Sequence, residues 1–221
     1  MRREDEEIKK AVIDELFWDN RIDASKVTVT VENGIVSLAG EVSSYADLAD
    51  ARAAIYRVAG VVDVLDSLVI AYAEPPGLPA DSEIEEHVNN IIVWDSAVDE
   101  GNVKALVEAG FVILEGIVDA HWKMWYLEEK ITGIRGVHGI ENKLGAVPTK
   151  EVADEILAKD VIGALERDVL VDAENVTVTV ENGVVTLSGT VPNWAARLSA
   201  WNAASRTAGV ISIENNLKVA V

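Results

Sequence analysis

No cysteine occurs among the 221 residues. Disulfides, thiolate zinc sites and a cysteine nucleophile are therefore excluded. No apolar run approaches the roughly 18–20 residues of a membrane-spanning helix, so no transmembrane segment is expected. No segment carries a basic stripe either. The 38 acidic and 19 basic residues give a net charge of −19, and the acidic excess is spread along the whole chain. Such a surface repels phosphate backbones, which excludes nucleic acid as a partner, and it repels anionic lipid headgroups as well. The opening MRREDEEIKK lacks the apolar run of a signal peptide. With Met1 as the native start the expected compartment is the cytoplasm; with a leader trimmed away it is the periplasm.

Catalytic signatures are missing too. The sequence holds no G-x-S-x-G, no G-x-x-x-x-G-K and no G-x-G-x-x-G after a strand. Its three histidines, His87, His121 and His138, have no metal-ligand spacing. The acidic pairs Asp14–Glu15, Asp99–Glu100 and Glu128–Glu129 are adjacent in sequence. Neighbours on a helix point about 100° apart, so these pairs read as solvated faces and not as an acid and base across a cleft. No catalytic residue, metal ligand or cofactor site is expected, and the chain reads as non-enzymatic.

What the sequence does contain is repetition. Val27 to Gly40 reads VTVTVENGIVSLAG, Val176 to Gly189 reads VTVTVENGVVTLSG, and a degraded copy, VKALVEAGFVILEG, runs from Val103 to Gly116. Whole columns recur at these offsets without a gap: Gly34, Gly110 and Gly183; Gly40, Gly116 and Gly189; Gly60, Gly136 and Gly209; Asp23, Asp99 and Asp172. Constant offsets over such a length mean homologous modules. They divide the chain into module one (1–72), a proline-rich linker (73–80, AEPPGLPA), module two (81–147) and module three (148–221), with a second short break around Ala146 to Lys150. Modules of about 70 residues are marginal alone, so short linkers predict that the three pack together.

Each module reads as α-β-β-α-β. The first helix, Glu6 to Asp19 in module one, has an apolar stripe of Ile8, Val12, Ile13 and Leu16. The matching stripes are Ile84, Val88 and Ile92, then Leu157, Val161 and Leu165. Ser82 with Glu85 fits a capping box at the start of the second module's helix. In the hairpin, valines alternate with threonines, and Asn33-Gly34 and Asn182-Gly183 are the preferred type I′ pairs. Ala109-Gly110 replaces them in module two, which suggests a different turn. Gly40 and its equivalents imply a close backbone approach, expected from the packed helix. A second helix from about Ser44 to Val58 precedes Gly60, placed as a left-handed cap, and a strand over Val62 to Ile70 closes the module. The fold class is thus α+β: three tandem αββαβ modules, each a small mixed three-stranded sheet with two helices on one face.

Module two departs from its siblings. The outer hairpin face of modules one and three is polar or small, whereas Leu106, Phe111, Ile113 and Ile117 make an apolar patch in module two. Such a patch implies cover by a neighbouring module or by a second copy of the chain, or else a groove for lipid or peptide. The second helix carries Trp122, Trp125 and Tyr126 where module one has Ala46, Ala49 and Asp50. Aromatics of this kind concentrate at interfaces. These seven residues form the candidate interaction surface. One further column holds a ring in all three modules, Tyr45, His121 and Trp194, and reads as packing at the entrance to the second helix.

The V-T-V-x-V-x-x-G-x-V-x-L-x-G-x-V hairpin and the tail around Gly209, Val210, Ile213, Asn215 and Leu217 resemble the BON domain, a module of bacterial osmotically induced and nodulation proteins. The resemblance covers nearly the whole chain. It implies a non-catalytic, stress- or envelope-associated binding protein. Phospholipid-surface binding and potassium or other cation binding are the alternatives that the resemblance carries. It transfers no functional residue.

Overall fold

The computed structural model describes residues 4–71, 77–98 and 101–220. Residues 73–76 of the expected linker, and Asp99 with Glu100, lie outside the described residues.

Module one runs α1 (Asp5–Trp18), β1 (Val27–Glu32), β2 (Ile35–Val42), α2 (Tyr45–Tyr56) and β3 (Asp63–Ile70). Module two repeats this as α3 (Asp81–Trp94), β4 (Val103–Glu108), β5 (Phe111–Val118), α4 (Trp122–Thr132) and β6 (Gly139–Ala146). Module three follows with α5 (Asp154–Glu166), β7 (Val176–Glu181), β8 (Val184–Val191), α6 (Trp194–Ser205) and β9 (Ser212–Val219). Each sheet has the hairpin's second strand in the middle, antiparallel to the first strand and parallel to the third. Both helices cover one face. Val36 and Leu38 point under them with Ile8, Val12, Leu16 and Ile55 to form a closed core, and the other modules repeat the arrangement. Ile13 is the exception to its stripe. It points about 100° away from the buried row and is exposed.

Several local expectations are corrected. Ala109 adopts φ +51° and Gly110 φ +76°, the same left-handed pair as Asn33 (+54°) and Gly34 (+78°). The turn of module two is therefore of the same kind, because its register (Glu108 opposite Phe111) leaves only two loop residues. The strand glycines are crowded by backbone and not by the helix. A Cβ on Gly40 would lie 2.0 Å from the carbonyl oxygen of Lys26, just before β1, and Gly116 meets Asn102 at the same distance. Helix α3 begins one residue before the expected capping box. Ala80 is its N-cap, and Glu83 reaches back to accept the Ala80 amide at 2.8 Å. Helix α2 ends at Tyr56 with a right-handed cap on Arg57, so Gly60 (φ +96°) belongs to the turn entering β3 and does not cap the helix. Ala146 ends β6 and is not part of a linker.

One feature recurs in all three modules. The aspartate opening the first helix accepts both amides at the hairpin tip. Asp5 takes Asn33 (2.8 Å) and Gly34 (2.9 Å). Asp81 takes Ala109 (2.8 Å) and Gly110 (2.9 Å), and Asp154 takes Asn182 (2.7 Å) and Gly183 (3.0 Å). A tight hairpin leaves these amides without a ladder partner, and a carboxylate satisfies both.

The modules join through the ring column at the start of the second helices. Tyr45 packs on the core of module two and its hydroxyl meets the backbone of Ile140. His121 lies edge-on to Trp201 of module three, with centroids 5.8 Å apart. Trp194 packs on the core of module one, and its Nε1 donates to the Val62 carbonyl. Module one thus reaches into two, two into three, and three back into one. Three head-to-tail steps close the set, as heterologous contacts do when their rotation closes.

Candidate functional site

The outer sheet face of module two is built by strand alternation. Val103, Ala105 and Val107 point toward the helices, so Lys104, Leu106 and Glu108 point away. On β5, Phe111, Ile113, Glu115 and Ile117 share that outward face. Leu106 stands directly opposite Ile113, and Lys104 opposite Glu115. The parallel strand β6 continues the rows with Glu141 beside Ile113 and Lys143 beside Glu115, and Lys143 pairs with Glu141 at 3.2 Å. The result is an apolar strip of Leu106, Phe111 and Ile113, bordered by the charged row Lys104, Glu115 and Lys143, with Ile117 on the far side of that row.

Among the described residues, no other module covers this face. Leu106 is 49% exposed, Phe111 54% and Ile117 47%, with Ile113 half-buried between them. The expected cover by a neighbouring module is thereby corrected. The neighbours dock through the second helices, which lie on the opposite face of the sheet. Phe111 is nevertheless held in place. Its ring lies over Gly139, where a Cβ would come within 2.8 Å of the ring, and its edge contacts the His138 imidazole. His138 Nδ1 in turn lies 3.1 Å from the Ala109 carbonyl. Gly139, which the hairpin comparison alone did not single out, is thus the residue that makes room for Phe111. Exposed Leu65 and Val69 on β3 also give module one some outward apolar surface, which inspection of the hairpins alone misses.

Trp122, Trp125 and Tyr126 belong to the other side of module two. Helix α4 packs its Leu127 and Ile131 into the core, and the aromatics face α6 of module three. Trp125 meets Trp201 at 88° with centroids 5.2 Å apart, and Trp122 meets Tyr126 at 71° and 5.5 Å. The Tyr126 hydroxyl donates to Asp95 at the end of α3 (2.6 Å), which holds that carboxyl below its ordinary range. The seven candidate residues therefore fall into two groups on opposite faces. The sheet group is open, and the aromatic group lines a cavity of about 440 Å³ between two modules. A second cavity, of about 540 Å³, lies where α2, α4 and α6 converge, and Leu48, Tyr56, Trp194 and Leu198 line its apolar walls.

Burial lowers the His121 imidazole, whose Nδ1 has no hydrogen-bond partner among the described residues. Burial likewise raises the Glu128 carboxyl, against a hydrogen bond from Asn142. Among the described residues no group of three or more His, Asp or Glu side chains is placed to hold a metal ion, and no helix is long and apolar enough to cross a membrane.

The family model described as BON domain matches residues 4–72, 80–148 and 153–221. Osmotically-inducible protein Y of Escherichia coli (strain K12) is 27% identical over 144 residues, covering 62% of this chain and 72% of that protein. Two solved structures of CdsD, a structural protein of the type III secretion system of Chlamydia trachomatis, align with 15% and 16% identity, each at a TM-score of 0.28. They cover 97% and 98% of this chain and 92% and 96% of theirs.

Proposed function

The chain belongs to the BON-domain family, and on that premise we propose that it is a non-catalytic, stress-related binding protein that meets a protein partner through the open sheet face of module two. The observation that carries the reading is the exposure of Leu106 and Phe111 beside Ile113 on one face. Water is an unfavourable neighbour for a contiguous apolar strip, and monomeric surfaces rarely keep one without use. The charged border of Lys104, Glu115, Glu141 and Lys143 suits a protein rim, where polar groups surround an apolar centre. The similarity to osmotically-inducible protein Y supports the stress-related part. A lipid surface is the second reading, favoured by the same bare side chains and opposed by the net charge of −19.

The test compares Leu106→Asp with Thr30→Asp, the same position in module one. Both variants are used as full chains in pull-downs from bacterial extracts grown at high salt, and in sedimentation with anionic and neutral vesicles. The proposal expects a captured protein to be lost with Leu106→Asp and kept with Thr30→Asp, with no vesicle binding. Vesicle binding that Leu106→Asp abolishes selects the lipid reading. Indifference of every ligand to Leu106→Asp overturns both.

A further inference from the structure

The cavity between α4 and α6 has a composition that module packing does not require. Its walls include Trp122, Trp125, Tyr126 and Trp201 together with Glu129 and Arg206. The repeat supplies the comparison. Trp122, Trp125 and Tyr126 correspond to Ala46, Ala49 and Asp50 in module one and to Ala195, Leu198 and Ser199 in module three. Trp201 corresponds to Arg52 and Glu128. The other two module contacts are thus made with small, aliphatic or charged side chains at these positions. The other contacts also use rings, Tyr45 and the Trp194–Tyr56 pair, but these four positions carry rings at this interface alone.

The geometry of the rings points to a cation. Trp125 meets Trp201 edge to face, as Trp122 meets Tyr126, and all four rings line one space. Its volume of about 440 Å³ lies in the range of small-molecule pockets, roughly 300–1,000 Å³. Aromatic faces carry negative potential and attract cations, tryptophan most strongly. The protein's own ammonium groups already use two of these rings. Lys130 Nζ lies 5.1 Å from the Tyr126 centroid and Lys123 Nζ 5.8 Å from that of Trp122, and neither lysine lines the cavity. Glu129 adds a carboxylate. Arg206 forms no ion pair among the described residues, and its guanidinium fork is suited to a ligand carboxylate.

We propose that this cavity binds a small zwitterionic solute bearing a methylated quaternary ammonium group and a carboxylate. The ammonium lies against the tryptophan walls near Glu129, and the carboxylate turns to Arg206. A methylated ammonium gains from apolar contact and from the ring faces together, whereas a bare inorganic cation would give up its water for a site poor in oxygen ligands.

The test uses the full chain and its tryptophan fluorescence, titrated with N,N,N-trimethylglycine, choline and 3,3-dimethylbutan-1-ol, the uncharged isostere of choline. The proposal expects saturable quenching by trimethylglycine and choline, and binding of the neutral isostere weaker by about tenfold. Arg206→Met should weaken trimethylglycine about tenfold and leave choline unchanged. Trp125→Leu installs the residue that module three carries at this position, so it preserves the fold, as circular dichroism checks, and should weaken both cations. A response that stays linear to about 100 mM for every probe overturns the site. Equal binding of the neutral isostere overturns its cation chemistry, and an Arg206→Met variant that binds trimethylglycine unchanged overturns the carboxylate contact.

Discussion

Trp194 Nε1 donates to the Val62 carbonyl at 2.7 Å, a hydrogen bond between residues 132 positions apart. It joins the last module to the first, and with the Tyr56 ring 4.2 Å from the indole it closes the three modules on themselves. Trp194→Phe keeps most of the packing and loses the donor, which should cost about 1 kcal/mol. Trp194→Ala loses both and should cost about 3 kcal/mol. Urea unfolding measures the two. Equal effects would mean that the indole N–H contributes nothing to closure.

Ala109 holds φ +51°, a conformation that its Cβ disfavours. Its counterparts are Asn33 and Asn182, which tolerate that region. Ala109→Asn should therefore stabilise the protein by about 0.5–1 kcal/mol. A thermal melt reads this as a rise in Tm without change in the spectrum of the folded state.

Asp154 accepts the amides of Asn182 and Gly183 and so fastens α5 to the tip of the hairpin. Asp154→Ala should destabilise by about 1–3 kcal/mol, because two amides lose a charged acceptor. Hydrogen exchange should speed up at Asn182 and Gly183 before it does so in the core of β8. Asp5→Ala and Asp81→Ala should behave alike at their own hairpins.

His121 titrates against the fold. Burial holds its imidazole below its ordinary range, so the unfolded chain takes up a proton near pH 6.5 that the folded chain refuses. The unfolded state binds more protons in the window below that pH, and stability falls as pH falls through it. Glu128 acts in the opposite sense, because its raised carboxyl favours the folded state where it is protonated. Comparison with His121→Leu isolates the histidine. The difference in urea midpoint between the two proteins should be constant above pH 7 and should shift in favour of the variant below about pH 6.5.

Much of the fold is legible in the sequence because it is written locally and three times. The period of two in Val27 to Val31 and the stripe Ile8, Val12 and Leu16 each report one inward face: the helix stripe and Val29 are buried, and Val27 and Val31 are partly buried on the same side. What stays hidden is non-local. Asp5 lies 28 residues from Asn33, and nothing in either neighbourhood marks the contact, although the recurrence of Asp5, Asp81 and Asp154 in one column is a usable signal. Tyr45, His121 and Trp194 are visible as a column of rings, but their target is the next module, and strand and helix patterns do not encode how modules meet. The apolar character of Leu106, Phe111 and Ile117 is plain in the sequence, whereas their exposure depends on that same module arrangement.

The central claim is that the apolar strip of module two is a surface and not a buried contact. Leu106→Asp and Val107→Asp, neighbours pointing to opposite faces of β4, test it most directly. Leu106 is 49% exposed and Val107 6%. By urea unfolding, Leu106→Asp should change stability by no more than about 1 kcal/mol, the span of strand propensity. Val107→Asp should cost more than about 4 kcal/mol, because it places a carboxylate in the core. A Leu106→Asp loss as large as that of Val107→Asp would show that the face is covered, and would contradict the account.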